Sequence, residues 1–457
     1  VIMDTKKYDV LTLGAGAAGL AAARMLAEAG MRVAVVEARG RIGGRIFTEH
    51  VPLGNSARFP VELGAEFVHG LPPAIWSLIG ETKLAAYELQ GGRLCFDEGL
   101  LKPCSEEQHD ATAVLDEMTR WLANQPSDAD PTFADYLRLE GIEAPTAERA
   151  AAYVESFNAA DRNVIGAAAL AQQQHAEEAI QSDRIFHVVQ GYDAVPKFLA
   201  ARFIAAGGSL FLGKTVRKIH WTRGAVSMSG SDEAGRAFEL HADRAVLTLP
   251  LGVLQAATVQ FDPLPRQIML QARKLAMGPV RRVTLVFQSK FWNEPGQPRS
   301  RLSPENGSHD FSFLFAHKEV LPVWWTPMPD AAPVITAWTA GPKALALEAR
   351  TGGNSAALLN ECLTALATIF GVSIRALEGA LVSWHTHDWQ ADPYARGAYS
   401  YAPAGARGAS EKMTEPVEGT LFFAGEHTDT QGHWGTVHGA LGSGTRAATQ
   451  LLAGRHP

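Results

Sequence analysis

The residues with the clearest chemical use stand near the start of the chain. Gly14, Gly16 and Gly19, spaced as G-A-G-A-A-G, follow the apolar run 8–13 and open an Ala-, Leu- and Met-rich stretch that ends at Gly30. The order reads as strand, glycine turn and helix. Gly14 permits the tight turn, Gly16 lets bare backbone approach a pyrophosphate, and Gly19 lets the helix close on the strand, while the helix N-terminus offers unpaired N–H groups to the anion. A second apolar run, 32–36, closes on Glu37, roughly 20 residues past the first glycine, where a dinucleotide fold places an acid for ribose hydroxyls. The motif by itself fits FAD and NAD equally.

The segment after Glu37 separates them. Arg39, Arg41 and Arg45 alternate with Gly43 and Gly44 in E-A-R-G-R-I-G-G-R, a loop of cations and bare backbone suited to a long diphosphate cofactor. It resembles the E-A-R-x-R-x-G-G-R signature of the flavin amine oxidase family, which includes monoamine oxidases, polyamine oxidases and flavin-dependent histone lysine demethylases. The resemblance implies non-covalent FAD, because Ala398 stands where monoamine oxidases carry the cysteine that bonds to the flavin. It recurs at V-E-L-G-A-E-F-V-H-G (61–70), at Gly191-Tyr192, at T-L-P-L-G-V-L (248–254), at W-Q-A-D-P-Y-A-R-G-A-Y-S-Y (389–401), and at F-F-A-G-E-H (422–427) with G-T-V-H-G-A (435–440). These places cover most of the chain and imply that Gly64, Ala65, Trp389, Gly425, Glu426, Thr436 and Val437 join Gly14, Gly16, Gly19, Glu37, Arg39, Gly43, Gly44 and Arg45 at the cofactor. Val216, in a β-like stretch at 215–221, completes that set.

The same resemblance implies the chemistry. Oxidation of an amine to an imine removes a hydride equivalent from the carbon beside nitrogen, and a flavin accepts it without a protein nucleophile. The protein must hold a neutral amine over the ring and exclude water. Tyr399 falls at one of two aromatic cage positions, and Thr436 occupies the other, so the cage is half open and admits a longer or secondary amine. Trp389 aligns with a tryptophan that stacks near the flavin. Arg282 takes the place of a family lysine that reaches the flavin through water and is linked to reaction with oxygen. It retains the charge, but a guanidinium is bulkier and gives up no proton at working pH. His69 falls where polyamine oxidases place an acid or histidine in the substrate tunnel, with Glu62 and Glu66 close by in sequence.

The elements that position these residues follow from length and patterning. A chain of 457 residues holds two or three domains. The fold class expected is α/β: a Rossmann-like FAD-binding domain with a discontinuous α+β substrate domain of mixed sheet plus helices. The FAD domain is assigned residues 5–78, 185–280 and 390–453, and the substrate domain residues 79–184 and 281–389. Stretches 209–212, 215–221 and 238–248 read as strands of the first, after a helix capped by Asp193 with Pro196 in its first turn. Residues 79–184, helical in period at 147–156 and 167–179, should form a wall over the substrate. Residues 281–287 alternate as a strand that opens the second sheet, with Val283, Leu285 and Phe287 on one side and Arg282 and Thr284 on the other; Pro- and Gly-rich turns should follow Trp292.

Composition sets the outer bounds. Hydrophobic residues at 46% against 19% charged exclude wholesale disorder. A formal net charge of −7 opposes nucleic acid as a partner. The absence of a long apolar run, with no apolar tail at 455–457, opposes a membrane partner. Cys95, Cys104 and Cys362, with no CxxC pair, point to neither a disulfide framework nor zinc, and to a reducing, cytoplasmic setting. His385, His387, His427, His433 and His438 form no metal-binding spacing, so no metal is expected. The expected function is FAD-dependent oxidation of a small-molecule amine, with oxygen or another electron acceptor. The alternatives are an amine dehydrogenase, an L-amino-acid oxidase, which the Glu66-Phe67 pair disfavours, and a flavoprotein without turnover. Oligomeric state has no sequence signal.

Overall fold

The computed structural model describes residues 2–53, 57–104, 110–126, 129–293 and 310–454. The first apolar run forms β1 (Ile2–Leu13), which pairs in parallel with β2 (Val33–Val36) on one side and with the strand Ala237–Leu247 on the other. Between β1 and β2 lies helix α1 (Ala17–Glu28), in which Ala17, Ala18, Ala21, Ala22 and Ala23 are all buried with Leu20 and Leu26. Such small residues let α1 lie close to its neighbours. The C-terminal helix Val437–Ala453 comes so near that a Cβ added at Gly444 would fall 2.1 Å from the Ala18 carbonyl oxygen.

The eight-stranded sheet built on β1 runs Ser209–Phe211, β2, β1, Ala237–Leu247, Ala225–Asp232, Lys214–Thr222 and Gln260–Asp262, with Leu421–Phe423 also paired to Ala237–Leu247. Its inner strands are parallel and its outer hairpin antiparallel. A seven-stranded sheet runs Leu381–His385, Val280–Phe287, Val334–Ala340, Val323–Trp325, Phe311–Phe315, Gly92–Asp97 and Leu100–Pro103. Every residue of Val280–Phe287 is buried, because both faces of this inner strand are covered. Val283, Leu285 and Phe287 pack with Leu366, Ile369 and Phe370 of the helix Ser355–Phe370, and Arg282 leaves from the opposite face, as the alternation requires.

Several expectations need correction. The strand at 280–287 lies inside its sheet rather than opening it at an edge. The stretch 79–184 contains the helices Ala144–Asn158 and Ala167–Ala179 as its period indicates, but also the hairpin Gly92–Asp97 and Leu100–Pro103 and the strand Ala86–Glu88. These strands are too short to impose a period of two on a window chosen for helices. Cys95 and Cys104 form a disulfide across this hairpin, with Cα atoms 5.1 Å apart, so the cysteine argument for a reducing setting loses its premise; Cys362 is buried and unpaired. Asp193 does stand at the N-cap of the helix Ala194–Ala205, yet its carboxylate accepts from Lys197 Nζ at 2.5 Å rather than from the helix backbone. The turns expected after Trp292 lie outside the described residues. Among the described residues, no single helix is long and apolar enough to cross a membrane.

One buried carboxyl ties these parts together. Glu62, ending the strand Ala57–Glu62, accepts from Thr48 Oγ1 at 2.6 Å and from the Tyr192 backbone N–H at 2.7 Å. Burial pushes its pKa up to about 8 against the lowering effect of these hydrogen bonds. The native state then binds a proton that the unfolded chain releases near 4.5, and stability must fall as pH rises through that window. Glu62→Gln keeps the shape without the charge. Its melting temperature should decline less than that of the wild type between pH 5 and 8, and equal slopes would show that Glu62 ionises normally.

Candidate active site

The glycine turn is built by contacts that exclude side chains. Gly14 sits at φ +106°, and a Cβ there would lie 2.5 Å from Thr248 Oγ1; at Gly19 it would lie 2.0 Å from the Gly14 carbonyl oxygen. Gly16 is the N-cap of α1, has no side-chain cap, and bridges to Gly43. Glu37 fixes the turn from below, since one carboxylate oxygen accepts from Ala15 N at 2.8 Å and the other from Arg39 N at 2.9 Å. Gly43 and Gly44 both take positive φ. A Cβ at Gly64 would stand 1.9 Å from the Arg45 carbonyl oxygen and 3.0 Å from the Trp389 ring. All of these except Gly19 line one cavity of about 1980 Å³. Gly19 lies behind the wall and serves the close packing of α1.

Two of the three arginines that follow Glu37 have counter-ions, while Arg41 donates to the Ile42 and Ile46 carbonyls at 3.2 and 3.3 Å and lies over the Phe47 ring. Arg39 pairs with Asp392 at 2.8 Å and lies over the Tyr394 ring. Arg45 donates to the Ala398 carbonyl at 2.9 Å and to Glu426 at 2.8 Å. Glu426 is buried, and its second oxygen accepts from Ser400 Oγ at 2.6 Å and Gly435 N at 2.9 Å. Burial raises this carboxyl, but Arg45, His427 and the Ser400 hydroxyl outweigh it and hold the group below its ordinary value. Arg45 and Glu426 thus pin three segments around the cavity. Positive potential for a diphosphate comes mainly from helix ends, whose first N–H groups have no partner within the helix. Thr436 is the N-cap of the C-terminal helix. Its hydroxyl accepts from Gly439 N at 2.9 Å and donates to the His433 carbonyl at 2.7 Å, so it acts through the cap, and Val437 follows as the first helical residue on the cavity wall.

The other end of the same cavity is aromatic. Trp389 is buried and donates from Nε1 to the Leu63 carbonyl at 2.8 Å; Tyr399 donates its hydroxyl to the Phe157 carbonyl at 2.8 Å. His69 lies edge-on to Phe67 and Phe157, and burial takes its pKa down to about 4, leaving a neutral ring at ordinary pH. Arg282 is 5% exposed, donates to the Gly64 carbonyl at 3.0 Å, pairs with Glu66 and lies over the Trp325 ring. The structure therefore brings Arg282, Trp389, Tyr399, Thr436, His69, Val216, Ala65 and Gly425 to one chamber with the glycine cradle.

Sequence reasoning missed much of that wall. Trp325, Trp338, Phe313, Phe315, Tyr153 and Phe157 all line it. The alternation in F-S-F-L-F at 311–315 was an available signal, because Phe313 and Phe315 face the cavity while Leu314 enters the core. Trp338 lies directly opposite Arg282 in the strand register, a relation no local pattern carries. His433 and His438 pack ring to ring at 4.6 Å, and no group of residues able to hold a metal ion is found among the described residues. Bare glycine backbone, two helix N-termini and a continuous apolar chamber fit a dinucleotide whose second ring system reaches the aromatic end.

Comparison with known proteins identifies that dinucleotide. The family model described as flavin containing amine oxidoreductase matches residues 17–452. Lysine-specific histone demethylase 1 homolog 3 of Arabidopsis thaliana is 27% identical over 511 residues, an alignment covering 99% of this chain and 30% of that protein. The chain thus spans less than a third of that relative. Polyamine oxidase 2 of Arabidopsis thaliana is 29% identical over 475 residues, covering 98% of this chain and 88% of the relative. Among solved structures, wild-type putrescine oxidase bound to putrescine shares the fold with a TM-score of 0.79 at 22% identity, covering 98% of this chain and 99% of that one. The cofactor is FAD.

Two outcomes follow for the holoprotein. Acid should release intact FAD, because Ala398 offers no thiol and Cys104, on the cavity wall, is bonded to Cys95; flavin remaining on denatured protein would refute this. Gly19→Ala should yield protein with FAD occupancy lowered at least about tenfold, read from flavin absorbance per chain, because its Cβ would collide with backbone rather than with a yielding side chain.

Proposed function

Because the chain belongs to the flavin containing amine oxidoreductase family, we propose that it is an amine oxidase converting an amine to an imine, which water hydrolyses to an aldehyde or ketone and a smaller amine or ammonia, while oxygen is reduced to hydrogen peroxide. The observation that carries this reading is one chamber lined both by the glycine cradle and by Trp325, Trp389, Tyr399 and Phe157. In this reading residues 5–78, 185–280 and 390–453 form the FAD unit, and residues 79–184 and 281–389 the substrate unit.

FAD, when bound, accepts the hydride equivalent. The protein orients the amine and keeps water from it. Tyr399, fixed by its bond to the Phe157 carbonyl, and Trp389, fixed by Leu63, supply rigid walls, and an apolar wall favours the neutral amine over the ammonium ion. His69 adds no positive charge above about pH 4, so it presents a neutral ring to the substrate, and an ammonium must shed its proton to solvent before it enters. Farther along the cavity stand Glu177, whose pKa burial pushes up to about 7, Glu178 and Asp183. Arg93, Arg149 and Lys343 line the same cavity, so the choice of a di- or polyamine rests on the names of the polyamine and putrescine oxidases that the chain resembles. The partner is thus a small molecule. An L-amino acid is disfavoured, since Glu66 and Phe67 follow the Gly64-Ala65 pair where the resemblance implies a carboxylate-binding arginine.

The reading is tested by mixing mono-, di- and polyamines with the holoprotein without oxygen. Bleaching of the flavin by some amine, followed by peroxide on admission of oxygen, is expected; no bleaching by any amine would defeat it. The rate of bleaching should rise with pH toward the pKa of the substrate itself, because the protonated amine cannot release the hydride. A rate that falls steadily from about pH 6 to 9 at full FAD occupancy would count against an amine.

A specific observation favours a second reading, a dehydrogenase that passes electrons to another acceptor. Arg282, at the place where the family resemblance implies a lysine, is held by the Gly64 carbonyl and by Glu66, and a planar guanidinium so held leaves no small mobile ammonium for oxygen chemistry. Slow reoxidation by oxygen relative to reduction is therefore expected, with Arg282→Lys accelerating it at least about fivefold. Stopped-flow mixing of the reduced proteins with oxygen decides this: wild type reoxidised faster than it is reduced, unchanged by the substitution, supports the oxidase alone.

A further inference from the structure

Arg282 is held more tightly than a solitary cation on a cavity wall would be. Its Nη1 donates to the Gly64 carbonyl at 3.0 Å, its Nη2 pairs with Glu66, its guanidinium lies 5.4 Å from the Trp325 centroid, and its Nε is buried without a partner. Glu66 is held in turn. Trp325 Nε1 donates to both of its oxygens at 3.1 Å, and His187 Nε2 stands 3.4 Å away. His187 stacks on Tyr87 with the rings 8° from parallel, and burial holds it neutral by lowering its pKa, more strongly than Glu66 raises it. The other ionisable groups that act on this cluster are Glu62, which keeps its proton to about pH 8, and Asp330. The balance is one guanidinium against one carboxylate.

We propose that Glu66 is a positioning residue which fixes Arg282 against the Gly64 backbone and cancels its charge, so that bound FAD meets a neutral pair rather than a free cation. The proposal rests on the FAD reading of the chamber. Gly64 connects the two. Its carbonyl accepts from Arg282, its own backbone lies against Arg45 and Trp389 too closely for any Cβ, and both of those residues belong to the cofactor wall. A fixed positive charge at this place would favour the reduced, more negative flavin, and Glu66 removes that bias. Glu66 and Arg282 are 216 residues apart in sequence, so the carboxylate has no local structural reason to stand here.

The test is a spectrophotometric redox titration of the FAD-loaded protein against a dye of known potential. Glu66→Gln should raise the ratio of reduced to oxidised FAD at a fixed potential about tenfold, ~30 mV for two electrons, because Arg282 is then uncompensated. Glu66→Asp keeps the charge and should stay within about twofold of wild type, and the double variant Glu66→Gln/Arg282→Gln should return to near wild type. A Glu66→Gln titration that coincides with wild type, or a double variant shifted as far as the single one, overturns the proposal. If Glu66→Gln does not retain FAD, Arg282→Gln and the double variant decide. Arg282→Gln leaves the Glu66 carboxylate without its cation and should lower the ratio of reduced to oxidised FAD about tenfold relative to the double variant, and coincidence of the two overturns the proposal. Wild type that no amine bleaches, with the titrations as described, would defeat the amine reading and leave the pair standing.

Discussion

Backbone meeting backbone is the contact on which the rest of this molecule depends. At Gly19, Gly64 and Gly444 a single added carbon would lie within about 2 Å of a carbonyl oxygen, and these three places join the turn to α1, the 61–70 segment to Arg45, and α1 to the C-terminal helix. Each approach brings polar backbone to a surface that a side chain would otherwise cover. The cofactor chamber is therefore defined by what the sequence omits. Exposed N–H groups contribute to its anion-binding capacity.

The charged residues obey a complementary rule. Arg39 is matched by Asp392, Arg45 by Glu426, Arg282 by Glu66, and Arg281 by Glu348 and Asp388. Removing the arginine from the Arg282–Glu66 pair, exposed 5% and 9%, would leave a carboxylate without solvent or counter-ion, at a cost of about 3–5 kcal/mol. The arginines that a sequence reader assigns to phosphate thus spend their donors inside the protein, where they hold loops in place.

What the sequence disclosed follows from distance along the chain. The turn from Gly14 to Glu37 spans a strand, a helix and a strand whose periods are local, so its geometry was legible. Tyr399 and Trp389 were legible through the motif that contains them, and both reach the cavity. The counter-ion of Arg39 lies 353 residues away and no pattern announces it. Glu66 read as a neighbour of His69, whereas its partner comes from the opposite sheet. The Cys95–Cys104 bond was missed for the opposite reason: the pair is near in sequence, but it depends on a hairpin whose strands were too short to see. Thr436 lies on the cavity wall, while the use of its hydroxyl as a helix cap became visible only with the His433 and Gly439 backbone in place.

The link from Arg45 to Glu426 spans 381 residues, and it has a consequence for the order in which the molecule is made. Synthesis delivers the glycine turn first. The carboxylate that anchors Arg45, and the helix end at Val437 that closes the wall, emerge only after both sheets have left the ribosome. A nascent chain thus carries half a nucleotide site through most of its translation. Because the wall is incomplete until the helix that begins at Val437 is in place, full enclosure of the flavin requires that helix.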